Sequence, residues 1–197
     1  VMGGSLGAGF LNETVRANLD RLLEAYQVVH LVGKGNLHPD LEGRPGYRQL
    51  EYLGSPMKDV LTAADFIVSR AGSNSIFEFL ALKKPNLLIP LDLNQSRGDQ
   101  IHNAESFTRA GYSMMLREGE FTTEKFFGAL DELKIRQEAF IRNMDQAVVT
   151  GALEKILAVI EDTLKEKQRT RLARITEADP AEPVFQKNFE EPAAKNK

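Results

Sequence analysis

The stretch Val68-Ser69-Arg70-Ala71-Gly72-Ser73-Asn74-Ser75-Ile76-Phe77-Glu78 decides how the chain is read. Ahead of it, Ala64-Asp65-Phe66-Ile67-Val68 is an apolar run of strand length, and after it Ile76, Phe77, Phe79 and Leu80 recur at helical spacing. The small residues between them therefore form the turn at which a buried strand hands over to a helix. Such a junction suits an anion: the unpaired N–H groups of a helix's first turn and the positive end of its dipole hold a phosphate, and Gly72 lets the backbone come close. A nucleotide phosphate is the natural candidate. Glu78 lies one turn into the helix, and its carboxylate can accept two hydrogen bonds from vicinal hydroxyls such as those of a ribose. A second reading stays open, because Ser75-x-x-Glu78 also fits a capping box, in which the two side chains satisfy helix-end N–H groups and bind nothing.

Outward from this stretch the chain alternates. Strands are predicted at Val28–Val32, Gln49–Leu53, Phe66–Ser69, Asn86–Ile89 and Tyr112–Leu116. Helices are predicted through Leu11, Val15, Leu19 and Leu22, then over Met57–Ala64, Ser75–Leu82, Gln100–Ala110, Phe121–Leu133 and, as a long final element, Val148–Leu164. About five rounds of strand and helix call for an α/β fold, a Rossmann-like, doubly wound parallel sheet covered on both faces. Ligands of such sheets lie beyond the carboxyl ends of the strands, where residues 3–9, 70–75 and 94–100 all fall. Val1-Met2 read as the last two residues of a buried strand, with Gly3-Gly4-Ser5 already turning out of it, so a fragment or one half of a larger enzyme is expected.

The loop Gly3-Gly4-Ser5-Leu6-Gly7-Ala8-Gly9 is a second strand-end anion site. It matches neither the dinucleotide fingerprint G-x-G-x-x-G nor a P-loop, since the Walker lysine is missing. Ser5 is placed either to donate to a phosphate or to cap the helix that follows. His30 sits within apolar and β-branched residues and is expected to face the interior or the sheet's rim rather than to do acid–base work. There is no D-x-D motif, so no metal bridging of a diphosphate is indicated, and neither a metal nor a cofactor is expected.

Composition narrows the classes further. Of 197 residues, 42% are hydrophobic and 27% charged, which is ordinary for a globular domain. The formal net charge of -3 carries no broad basic field, so nucleic acid is not an expected partner. The absence of cysteine excludes disulfides and thiol catalysis. The apolar runs fall short of a membrane span, and the opening residues do not read as a signal peptide.

Taken together, Gly3-Gly4-Ser5-Leu6-Gly7-Ala8 with Asn12, His30-Leu31-Val32-Gly33, Tyr52-Leu53 with Met57, Ala64 through Gly72, Glu78, Pro85, Ile89-Pro90 and Asp99-Gln100-x-x-Asn103-Ala104 resemble the C-terminal half of the MurG glycosyltransferases. The resemblance covers about residues 1 to 160. It implies the C-terminal domain of a GT-B fold and a UDP-sugar-binding domain over residues 1–164. By composition, residues 165–197, charged, with Pro180, Pro183 and Pro192 and few large apolar residues, are a polar tail expected to fray from a helix into disorder. The resemblance also implies inverting transfer of N-acetylglucosamine from UDP-N-acetylglucosamine to the lipid-linked muramoyl pentapeptide of peptidoglycan synthesis.

Residue by residue, the resemblance implies that Leu53 lends backbone groups to the uracil and that Glu78 accepts from the ribose. Ser5 and the turn Ser73, Asn74 and Ser75 would hold the diphosphate, with Ile76 and Phe77 also counted in the nucleotide site. Asp99 and Gln100 would read sugar hydroxyls, and Asn103 would brace the loop. Leu6, Asn74, the loop Gly54-Ser55-Pro56 and the Lys83-Lys84 turn depart from the family pattern. In that family the acceptor site, the membrane-facing surface and the catalytic base belong to the N-terminal half. No catalytic residue is therefore expected in this chain, and the complete enzyme is expected in the cytoplasm, peripheral to the inner face of the cell membrane. Two alternatives stand beside this reading. One is a naturally separate donor subunit, like the small subunit of the eukaryotic enzyme that extends dolichol-linked N-acetylglucosamine; the other is a sugar-nucleotide-binding module without a catalytic role.

Overall fold

The computed structural model describes residues 1–4, 6–93, 97–147 and 152–177. Two units divide the chain, Val1–Val149 and Thr150–Lys197. In the first, helices α1 (Gly9–Ala17) and α2 (Leu19–Ala25) precede strand β1 (Val28–Leu31), β2 (Tyr47–Leu50), α3 (Met57–Ala63), β3 (Ile67–Ser69), α4 (Ser73–Ala81), β4 (Asn86–Leu88), α5 (Asp99–Arg109), β5 (Ser113–Met115), α6 (Thr123–Ile135) and α7 (Gln137–Asp145).

All pairing is parallel: β1 with β2, and β3 with β4 with β5. Met2 joins the two groups through parallel bridges to Leu31 and to Ser69. Its N–H donates to Val68 O at 2.9 Å, and Val1 O accepts from Leu31 N at 2.9 Å. Across the sheet the order is thus β2, β1, the Val1–Met2 segment, β3, β4, β5. With that segment counted first, this is the doubly wound order 3-2-1-4-5-6, whose direction reverses between the segment and β3. Every residue of β3 and β4 is buried, as required of strands covered on both faces. The core gathers Leu11, Val15, Leu19 and Leu22 from the first two helices, Ile76, Phe79 and Leu80 from α4, and Phe126, Leu130 and Leu133 from α6.

The parallel α/β architecture agrees with the sequence, while several boundaries move. The expected strand Gln49–Leu53 lies instead at Tyr47–Leu50. Alternation decides it: Tyr47 and Gln49 point inward, where Tyr47 meets His30 and Gln49 bonds the backbone of His38 at both N–H and C=O. The single first helix breaks at Asn18, whose side chain and N–H both turn back to Thr14 O. Helix α4 begins two residues ahead of Ser75. Helix α7 has no counterpart in the sequence reading, because only Phe140 and Met144 of its nine residues are buried, too few to register as a period.

Lys83 and Lys84 fill structural roles. Lys83 adopts φ 53°, the left-handed region usual for glycine, and pairs with Asp145 of α7. Lys84 Nζ donates to Thr62 O at 2.6 Å and Ala64 O at 2.8 Å, satisfying carbonyls at the end of α3.

In the second unit a helix, α8, runs Ala152–Glu177, continuing past the Leu164 at which the sequence reading stopped it. Residues 165–177 are mostly strong helix formers. The expected disordered tail falls, from residue 178 on, outside the described residues.

Candidate functional site

Because every strand is parallel, the loops after Met2, β1, β2, β3, β4 and β5 share the carboxyl edge of the sheet. The glycine-rich loop after Met2 is held there by close backbone contact. Gly4 and Gly7 have φ of 90° and 79°, and a Cβ on Gly7 would come within 2.1 Å of Val32 O. Beneath the loop, Asn12 Nδ2 donates to Val32 O at 2.9 Å, which leaves Asn12 Oδ1 to accept from His30 Nε2 at 3.0 Å. His30 Nδ1 then accepts from the Tyr47 hydroxyl at 2.9 Å. Both imidazole nitrogens are occupied in a fully buried ring, and burial first, then the positive charges of the first residue and Arg16, push its pKa down to about 3. His30 is a structural pin under the loop, as its apolar surroundings in the sequence suggested. Ser5 lies outside the described residues.

At the start of α4, the N-cap position belongs to Gly72, and no side chain caps the helix. Ser75 is therefore the third helical residue. The capping box that competed with the anion-site reading does not form, because Ser75 would have to stand where Gly72 does. Ile76 N donates to Gly72 O at 3.1 Å, and Ile76 packs in the core, so it contributes the helix's first closed bond. Among the described residues no acceptor meets the N–H groups of Ser73, Asn74 and Ser75. Asn103 Nδ2 donates to Ala71 O at 3.0 Å and braces the turn from α5. Glu78 is exposed on the same helix with no partner for its carboxylate among the described residues, and Phe77 stands half in solvent, edge-on to Phe107. Leu53 follows β2 in a loop, partly buried, with no backbone partner among the described residues for its N–H or C=O.

Where the strand order reverses, a cavity of about 430 Å³ opens between the glycine loop and the loops after β3, β4 and β5. Gly3, Gly7, Phe10, Glu13, Arg70 and Gln100 are on its wall. Of the residues predicted to meet ligand, Gln100 reaches this cavity, whereas Leu53, Ser73 to Ser75 and Glu78 do not line it. Asp99 begins α5 and is exposed. Residues 94–96 of the adjoining loop lie outside the described residues.

Arg70 was not among the residues singled out. It is 7% exposed, donates through NH1 to Ile89 O at 3.0 Å and Pro90 O at 3.3 Å, and pairs with the buried carboxylate of Glu118. The signal for it was in the chain: an arginine directly after Ile67-Val68-Ser69, at the end of an otherwise apolar strand, is buried only where charge and hydrogen bonds await it. No set of three or more His, Asp or Glu side chains able to hold a metal occurs among the described residues.

The sequence profile of the glycosyltransferase family 28 C-terminal domain matches residues 1–161. The chain belongs to that family. A relative from Geobacillus kaustophilus, named UDP-N-acetylglucosamine--N-acetylmuramyl-(pentapeptide) pyrophosphoryl-undecaprenol N-acetylglucosamine transferase, is 46% identical over 164 residues, which are 83% of this chain and 46% of the relative. One of the same name from Clostridium kluyveri is 48% identical over 161 residues, 82% of this chain and 46% of the relative. The family 28 domain thus spans about half the length of the curated relatives it matches. Among solved structures, Acinetobacter baumannii MurG aligns with a TM-score of 0.68 at 23% identity, over 82% of this chain and 48% of that one. The kitacinnamycin glycotransferase aligns with a TM-score of 0.60 at 22% identity, over 73% and 36%. The fold of this family 28 domain is accordingly that of one half of a GT-B glycosyltransferase.

Proposed function

We propose that this domain is the donor-nucleotide half of an inverting glycosyltransferase that moves N-acetylglucosamine from UDP-N-acetylglucosamine to a lipid-linked muramoyl pentapeptide. The observation that carries the reading is the start of α4, where three N–H groups in succession lack both a cap and a backbone acceptor at the carboxyl edge of a parallel sheet. The relatives' names supply the donor and the acceptor.

In this reading the N–H groups of Ser73, Asn74 and Ser75 hold the diphosphate together with Ser5, and Glu78 grips the ribose. The backbone of Leu53 meets the uracil, and Gln100 with Asp99 faces the sugar from α5. Direct displacement inverts the anomeric carbon as an acceptor hydroxyl attacks and UDP departs. The departing oxygen gains charge, and fixed N–H dipoles stabilise that charge more than they stabilise the intact donor. The acceptor, its binding surface and the base that takes its proton belong to an N-terminal half or partner subunit. Among the described residues no helix is long and apolar enough to cross a membrane. In this reading the complete enzyme works in the cytoplasm, peripheral to the inner face of the membrane, where a lipid-linked acceptor would be met.

Calorimetric titration of the chain with UDP, UDP-N-acetylglucosamine and UDP-glucose tests this. Glu78→Ala is expected to weaken all three about equally, by roughly ten- to a hundredfold for two hydrogen bonds to a charged acceptor. Gln100→Ala should spare UDP and weaken only the sugar nucleotides; an equal loss for UDP would take that residue away from the sugar. The purified chain should bind donor without turning it over, and appreciable transfer with no partner added would refute the division of labour.

A further inference from the structure

Arg70 ties together two loops of the cavity through one guanidinium nitrogen, NH1. It bonds the carbonyls of Ile89 and Pro90, which lead out of β4, and pairs with Glu118, which follows β5. Phe10 of α1 lies 6.0 Å beneath it, and Phe10 in turn stacks edge-on against Phe121 at 5.2 Å. The next backbone group after Pro90 is the N–H of Leu91, which donates to Gln100 Oε1 at 3.2 Å. That contact fixes the polarity of the amide. A backbone N–H can meet only the oxygen of a carboxamide, so Gln100 is left with its Nε2 hydrogens to offer a ligand.

We propose that Arg70 is a positioning residue for sugar recognition: by pinning the backbone at Ile89–Pro90 it sets Leu91 N–H, which orients the Gln100 amide so that its nitrogen, as a donor, reads an acceptor oxygen of the bound sugar. This rests on the donor-binding reading of the site and names the device behind its selectivity. The oxygen read is a carbonyl or hydroxyl of the hexose. A negatively charged side chain in place of Gln100 retains the contact with Leu91 and loses the reading.

The full 197-residue chain is titrated with UDP and with UDP-N-acetylglucosamine. The wild type must bind UDP, and if it does not, the donor-binding reading itself fails. Given that binding, Arg70→Met and Gln100→Glu should each lower affinity for the sugar nucleotide by about tenfold, the loss expected for one hydrogen bond, while leaving UDP within about twofold. The double variant should be no weaker than either single, because both remove the same contact. Arg70→Lys, which keeps the charge and one donor nitrogen on a shorter side chain, should fall between wild type and Arg70→Met. Should Arg70→Met fail to fold, Glu118→Gln, which weakens the anchor while preserving its size, and Arg70→Lys carry the same comparison. Equal losses for UDP and UDP-sugar, an unchanged sugar-nucleotide affinity, or additive losses in the double variant would each overturn the proposal while leaving donor binding intact.

Discussion

Gly7→Ala should lower the thermal midpoint of the first unit by roughly 10 °C, whereas Gly9→Ala, two residues away, should leave it unchanged or slightly raised. A side chain at φ 79° pays about 1–2 kcal/mol for the left-handed conformation. The added Cβ would also stand 2.1 Å from Val32 O, a rigid backbone atom. Relieving that contact means separating the glycine loop from the turn after β1, at about 1–3 kcal/mol for a forced repacking. At about 2–4 °C per kcal/mol for a domain of this size, the sum gives the stated drop. Gly9 opens α1, with nothing within 4 Å of a Cβ, and alanine there only narrows the unfolded ensemble. Differential scanning calorimetry of the two variants decides the matter: equal midpoints would mean that the loop does not lean on Val32. Since the same loop walls the cavity, Gly7→Ala should also weaken donor binding, and Asn12, which holds Val32 O from below, should tolerate substitution poorly for the same reason.

Acidification should destabilise the fold through His30. Its folded pKa is pushed down to about 3 from an unfolded value of 6.5, so above pH 6.5 the ring is neutral in both states and its contribution does not change. Between pH 6.5 and about 3 the unfolded chain holds a proton that the folded chain does not. Stability is therefore lost as pH falls, by about 1.4 kcal/mol per unit well below 6.5. From pH 7 to pH 4.5 that amounts to roughly 2–3 kcal/mol, before other groups are counted. Urea unfolding of the wild type and of His30→Gln across this range isolates the term. The variant, which keeps one donor and one acceptor for Asn12 and Tyr47, should be less stable at pH 8 and lose about one proton's worth of slope. Parallel pH profiles would show that His30 is charged in the fold, contrary to its tautomer and burial.

Much of this molecule was legible as a string of residues. The apolar runs before Ser69, at Val28 to Leu31 and at Asn86 to Leu88 sit where periodicity and turn residues put them, because short-range propensity and burial agree in parallel strands. The glycine loop and the junction at Gly72 were visible as strand ends that open helices, and the resemblance in motif order placed the chain within a transferase family that the profile match bears out. The boundary of β2 was not legible. Tyr47 and Arg48 resemble loop residues until His30 offers the tyrosine a hydrogen bond, and that partner lies 17 residues earlier in the chain.

Linear sequence, then, determined the order of strands and helices, their parallel arrangement and the helix start proposed to receive a phosphate, since these follow from spacing and from backbone N–H groups that every helix start exposes. It left the meaning of Ser75-x-x-Glu78 undecided between cap and ligand site. Only the tertiary structure settled that the helix begins at Ser73, beneath a turn tied down by Asn103. It alone brought Arg70, Glu118, Phe10 and Gln100 to one cavity from four separate elements. The physical reason is the same in both cases: local chemistry sets which groups lack partners, but whether a partner arrives from a distant part of the chain depends on how the sheet is wound.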